Sequence, residues 1–149
     1  MDKTKIIFWG TYISNIILEA LVKNFQVVAV VTNPDKPAGR KQLIVPSPIK
    51  IFAQKHSILV LQPEKLDSSF KFQISSLNPD LSVVAAYGKI IPKEILEIPK
   101  FSSLNIHPSL LPRLRGASPI QYAILNGDTE TGVTVILMDE KMDHGPILA

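Results

Sequence analysis

The sequence contains no cysteine. Disulfide bridges and thiolate metal sites are therefore excluded, and the absence fits a reducing cytoplasm. The three histidines, His56, His107 and His144, include no pair at the spacing of an established zinc motif. Long apolar runs are missing too. No stretch approaches the roughly 18 apolar residues of a membrane span, and the run Ile6 to Trp9 is too short for a secretory signal core. Glycine is sparse, with 7 in 149 residues. After the first apolar run the chain reads Gly10-Thr11-Tyr12-Ile13-Ser14-Asn15. A dinucleotide site needs a spaced glycine set so that backbone can approach a pyrophosphate, and here there is one glycine. No Walker-type loop occurs either. Nicotinamide and ATP chemistry are both disfavoured, and Gly10 reads as a tight strand-to-helix turn.

What is present reads as one globular domain, with 46% hydrophobic and 19% charged residues. Strand-like and helical patterns alternate. Ile6 to Trp9 is a short strand. Ile13, Ile16, Ile17, Ala20 and Leu21 then fall at helical spacing and predict one buried helix face. Val27 to Val31 is a β-branched run suited to a strand buried on both faces. Asn33 to Pro46 predicts a long loop, broken by Pro34, Pro37, Gly39 and Pro46. Ser47-Pro48 predicts a cap and first helical residue, with Ile49, Phe52 and Ala53 facing the core. Strands are predicted at Ile58 to Leu61, Leu81 to Ala86, Leu104 to His107 and Val133 to Met138. Helices are predicted over Ser68 to Leu77, from Pro92 to Ile98, and from a Ser118 cap to Asn126-Gly127. Strands alternating with helices predict an α/β fold, an open and mostly parallel sheet with helices on both faces.

Charge is unevenly spread. Between Asn33 and Lys50, four cations (Lys36, Arg40, Lys41 and Lys50) face Asp35 alone, which accounts for the entire net charge of +3. Ile98 to Gly127 carries Lys100, Arg113 and Arg115 with no acid. Such segments suit an anionic partner, phosphate or nucleic acid, and equally suit ordinary solvated loops.

Asn105-Ile106-His107 places a carboxamide and an imidazole two residues apart on a strand. Period two sends both to one face, with Leu104 and Ile106 on the other. In open α/β sheets ligands sit beyond the carboxyl ends of the strands, which is where His107 stands. The competing reading has both side chains bonding to loop backbone. Asp143 follows the last strand, where it can overhang the same crevice or sit in a solvated acidic turn. Asp139 reads as a strand-end or turn residue, and His56 as a plain surface residue.

Ser103-Leu104-Asn105-Ile106-His107-Pro108-Ser109-Leu110-Leu111-Pro112, then Arg115-Gly116-Ala117 and Pro119-Ile120, resembles the active-site segment of the folate-dependent formyltransferases. Gly127-Asp128, Thr131-Gly132-Val133-Thr134, Met138-Asp139, Asp143 and Gly145 continue the pattern. Upstream, Pro34-Asp35-Lys36-Pro37-Ala38-Gly39-Arg40, Ser47-Pro48-Ile49-Lys50, Gln62-Pro63-Glu64-Lys65-Leu66 and Ala86-Tyr87-Gly88-Lys89-Ile90-Ile91-Pro92 resemble the branch that formylates methionyl-tRNA. Tyr12 departs from the pattern, where proline or serine is more usual.

This resemblance implies a Rossmann-like formyltransferase fold, incomplete at its C-terminus. It makes residues 1–149 the N-terminal part of a catalytic domain, with a C-terminal barrel domain absent. It implies that Asn105, His107 and Asp143 are catalytic. Formyl would pass from 10-formyltetrahydrofolate to the amino group of initiator methionyl-tRNA, without a metal. Asn105 and protonated His107 would stabilise the oxyanion while Asp143 orients the imidazole or a water. Folate contacts are implied at Ser109, Leu110, Leu111 and Pro112, at Tyr87, Gly88, Lys89, Ile90 and Ile91, and at Asp139. Arg40 and Lys41 would meet tRNA phosphates. The implied protein is a cytoplasmic monomer. Competing readings are a sugar-nucleotide N-formyltransferase, a purine-pathway formyltransferase and a non-catalytic RNA-binding remnant.

Overall fold

A computed structural model describes residues 3–38 and 43–149. Its centre is a six-stranded sheet. In chain order the strands are β1 (Lys5–Gly10), β2 (Gln26–Val31), β5 (Leu59–Leu61), β6 (Leu81–Ala85), β7 (Ser103–His107) and β8 (Thr134–Leu137). In space they run β5-β2-β1-β6-β7-β8. The first five are mutually parallel, and β8 lies antiparallel to β7, with His107 opposite Thr134 and Asn105 opposite Ile136. The fold class expected from the sequence is the one observed.

Helices cover both faces. On one, α1 (Asn15–Asn24) and α2 (Pro48–Lys55) bury Leu18, Ile49 and Ala53 against Ile6, Phe8, Val30 and Val83. On the other, α3 (Ser68–Ser76) and α4 (Lys93–Leu96) bring Phe70, Ile74, Ile95 and Leu96 onto Ile7, Trp9, Val31 and Val84. Each fully buried aliphatic side chain of this kind contributes about 1.5–3 kcal/mol. The two sets alternate along β1 because side chains of a strand point to opposite faces in turn. Trp9 stands edge-on to Phe70 and to Tyr87, with centroids 5.9 and 5.3 Å away, and its Nε1 donates to Ser82 Oγ at 3.2 Å.

Local signals place the helices. Ser47 Oγ accepts from the Lys50 amide and Pro48 opens α2. Asp67 Oδ1 accepts from the Phe70 amide at the start of α3. The Ser118 side chain, by contrast, makes no cap bond to α5 (Pro119–Leu125), so that helix starts on proline alone.

Two further expectations need correction. The buried stripe of the first helix is not the one predicted. Leu18 is fully buried with Ile17, Leu21 and Val22 packed beside it, while Ile13 and Ile16 are exposed. Nearly every residue from Ile16 to Val22 is apolar, so several stripes fit the period equally well. The segment predicted as one long loop also contains a small antiparallel ladder, β3 (Pro37–Ala38) with β4 (Leu43–Ile44). Pro37 is thus in a strand, in a two-stranded ladder that asks little of its missing amide.

Candidate functional site

From β1 the chain moves outward to β2 and β5, then returns across the sheet to β6, β7 and β8. The carboxyl ends of β1 and β6 therefore form the switch point where a crevice opens in such sheets. A cleft of about 380 Å³ lies there. Thr11 and Ile13 after β1, Ala86 to Ile91 after β6, and Asn105 to Pro108 at the end of β7 form one side of it. Gly116, Ala117 and Pro119 close it below α5, and Met138 to Asp143 after β8 overhang it.

Three polar side chains meet in this cleft. Asn105 Nδ2 donates to Asp143 Oδ1 at 3.0 Å. His107 Nδ1 faces the same oxygen at 3.5 Å. The other oxygen, Oδ2, accepts from the Gly116 amide at 2.9 Å. On its far side His107 Nε2 meets the Leu114 carbonyl at 3.0 Å. A carbonyl can only accept, so Nε2 carries a hydrogen and Nδ1 is the nitrogen turned toward Asp143. Asn105 spends one amide hydrogen on Asp143 and keeps the second. The imidazole and the carboxylate are almost wholly enclosed, with side-chain exposures of 5% and 8%.

Backbone geometry explains how the loops reach these positions. Asp143 has φ +49°, in the left-handed region that aspartate tolerates better than most residues. Ala86, Gly88, Leu114 and Gly116 also have positive φ. Three turns around one cleft thus adopt conformations that cost about 1–2 kcal/mol at each non-glycine position. The other non-glycine residues of positive φ, Ser57, Asn78 and Ser102, lie outside the cleft lining.

A family model described as formyl transferase matches residues 4–149. The chain belongs to the formyl transferase family. It is 49% identical over 149 residues to a methionyl-tRNA formyltransferase of Enterococcus faecalis, covering 98% of this chain and 48% of that protein. It is also 49% identical over 148 residues to a methionyl-tRNA formyltransferase of Geobacillus thermodenitrificans, covering 97% and 46%. The chain spans about half the length of the curated relatives it matches. Among solved structures, glycinamide ribonucleotide transformylase 1 from Geobacillus kaustophilus is 27% identical with a TM-score of 0.75, covering 100% of this chain and 81% of that one. A formyltetrahydrofolate deformylase from Pseudomonas syringae shares the fold at 21% identity, TM-score 0.77, with 99% and 50% covered.

In this member of the family the predicted site residues divide into three groups. Asn105, His107 and Asp143 come together, as do Tyr87, Gly88, Lys89, Ile90, Ile91 and Asp139 along the cleft wall. Tyr87 is buried, which pushes its phenol up to about 12, and its hydroxyl has no partner among the described residues. Asp139 accepts from His144 Nδ1 and from the Lys141 amide, both at 2.8 Å. The His144 bond, and next the Lys141 amide, hold its carboxyl below the usual range.

Ser109, Leu110, Leu111 and Pro112 are not among the residues that line this cleft. Their polar groups are spent on the loop itself. Ser109, fully buried, donates its hydroxyl to the Arg113 carbonyl at 2.7 Å. Thr134 Oγ1 donates to the Ser109 carbonyl at 2.7 Å and accepts from the Leu111 amide at 3.1 Å. This segment braces the loop that delivers Leu114 O and Gly116 N to the site. Those two backbone groups escaped sequence reasoning; Gly116 was the only visible hint. The third group, Arg40 and Lys41, lies outside the described residues.

Proposed function

We propose that this chain carries the catalytic site of an enzyme that moves a formyl group from 10-formyltetrahydrofolate to the α-amino group of initiator methionyl-tRNA. The observation that carries the chemistry is the convergence of Asn105, His107 and Asp143 at the switch-point cleft. The acceptor is supported by 49% identity to two methionyl-tRNA formyltransferases.

The cleft suits such a donor. Ile90, Ile91 and Met138 offer apolar surface for a flat ring, and the polar trio lines the same cleft, within which it can hold a reacting carbonyl. The neutral amine attacks the formyl carbon, a new C–N bond forms, and the carbonyl oxygen becomes an oxyanion. The second amide hydrogen of Asn105 donates to that oxygen. His107 Nδ1 holds the proton released by the amine, and the imidazolium stands beside the oxyanion. Asp143 opposes its charge and keeps the ring in register, while the Leu114 carbonyl fixes the other nitrogen. The bond from carbon to the folate nitrogen then breaks, and the proton passes to that nitrogen. Donors aimed at a developing oxyanion are worth about 10²–10³ in rate each.

The test is acceptor choice. The native-length protein, given labelled 10-formyltetrahydrofolate, should formylate methionyl-tRNA and leave amino-sugar nucleotides and glycinamide ribonucleotide unlabelled. Label on either small acceptor, with none on the tRNA, would overturn the acceptor assignment and keep the formyl chemistry.

A further inference from the structure

The loop after β8 carries Asp143, and it has open space on both faces. One face lines the cleft, through Asp139 to Asp143 and Gly145. The other borders a second hollow of about 390 Å³, shared with Lys93 and Leu96 of α4 and with Glu97 and Ser102. Met138 to Lys141 border both spaces, so this part of the loop is a partition between them. Met138 packs on the core, whereas Glu140, Lys141, Met142 and His144 are exposed. Beyond Met138, then, the shape of the loop depends on hydrogen bonds rather than on packing.

The side-chain ties within the loop converge on one carboxylate. Asp139 Oδ1 accepts from the Lys141 amide and Oδ2 from His144 Nδ1, both at 2.8 Å. Among the described residues no other side-chain hydrogen bond joins two residues of this loop. The first bond closes a tight turn. The second crosses to the far side of the loop and lands on the residue next to Asp143. These bonds, His144 first, keep the Asp139 carboxyl ionised. An ionised carboxylate only accepts, so the hydrogen is on His144 Nδ1. Lys93 and Glu140 also approach across the outer hollow, at 3.9 Å, but both are more than half exposed and such a contact holds little.

We infer that Asp139 and His144 are positioning residues, whose hydrogen bond is a strut across the loop that keeps the Asp143 carboxylate between Asn105 and His107. The inference rests on the formyl-transfer reading for the reaction that Asp143 serves. Asp143 has φ +49°, which its backbone does not favour, so the neighbouring tie limits where its side chain can swing. The strut is itself partly exposed, with side-chain exposures of 56% for His144 and 38% for Asp139, so it adds little to overall stability. Its effect is local alignment, and small misplacements of a reacting set are costly in rate. His144 borders the outer hollow and is not among the residues that line the cleft. Replacing it therefore loosens the strut without altering a cleft side chain.

Two measurements on the native-length protein test this. In formylation of methionyl-tRNA, His144→Ala should lower kcat about tenfold and leave KM for the tRNA within about twofold. His144→Asn places an amide N–H close to where Nδ1 stands, and should recover most of that loss. In an Asp143→Ala background, where the strut has nothing left to align, His144→Ala should cost no more than about twofold. The second measurement needs no acceptor. Tryptic cleavage after Lys141 under native conditions should quicken about fivefold in His144→Ala, with cleavage elsewhere unchanged. A wild-type cleavage rate there would overturn the inference whatever the acceptor proves to be. So would a wild-type kcat in His144→Ala, or an equal loss in both backgrounds, in a protein that does formylate the tRNA. Wild-type protein inactive on tRNA, with faster cleavage in His144→Ala, would overturn the acceptor reading and sustain the strut.

Discussion

His107 and Asp143 show how much of a side chain's role is decided by what surrounds it. The imidazole has one nitrogen fixed by a carbonyl and the other turned to a carboxylate, so its orientation is set before any substrate arrives. Asp143 in turn answers to Asn105 and to the Gly116 amide. Asp35 offers a residue-level test that is independent of activity. The hydrogen bond from Lys50, and then that from Gln62, hold its carboxyl below the ordinary value of 3.8. A group whose folded pKa is depressed contributes stability above its unfolded pKa and loses it as pH falls through the folded value. Denaturant midpoints of wild type and Asp35→Asn should therefore differ by a constant amount above about pH 5 and converge below about pH 4. Curves that stay parallel to pH 2.5 would show that the carboxylate makes no such contribution. The side chains of this site were partly legible. Asn105 and His107 declared themselves through period two on a strand that ends at a proline. Asp143 did so only through resemblance, because nothing local separates it from an acidic turn. Leu114 O and Gly116 N carry no residue signature beyond the glycine itself, since they are backbone groups.

At the scale of elements, the segment after β8 matters most. It leaves the sheet at Met138, whose amide donates to the Ser103 carbonyl at 2.8 Å, and returns beside β8, where the Leu137 amide donates to the Pro146 carbonyl at 2.9 Å. Asp143 rides on the loop between. Gly145 allows this close return: a Cβ there would fall 1.7 Å from the Leu137 carbonyl oxygen. Backbone on both sides leaves no flexible neighbour to give way. Gly145→Ala should therefore shift the loop, lower stability by about 1–3 kcal/mol, and cut the formylation rate by more than tenfold. Thermal unfolding and formylation assays read the two effects. A variant with unchanged stability and rate would contradict this account of the loop. The elements themselves were mostly legible, because strands and helices here obey simple periods and prolines mark their starts. The β3–β4 ladder was not, for two-residue strands show no alternation. The buried face of α1 was misread because Leu18 and Ile16 are equally apolar. Only packing against Phe8 and Ile49 selects between them.

For the whole molecule, strand order decides where chemistry can happen. The sequence predicted a mostly parallel sheet and could not give its order. The order β5-β2-β1-β6-β7-β8 puts the switch point between β1 and β6, and the loops after β6, β7 and β8 all converge there. No helix among the described residues is long and apolar enough to cross a membrane. The central claim is that this convergence is a formyl-transfer site. It is tested most directly by single-turnover transfer from labelled 10-formyltetrahydrofolate to methionyl-tRNA, comparing native-length wild type with a folded His107→Ala variant at saturating substrates. The account predicts a rate constant lower by about 10²–10³, with unfolding midpoints close to each other. A variant that transfers formyl at the wild-type rate would contradict it.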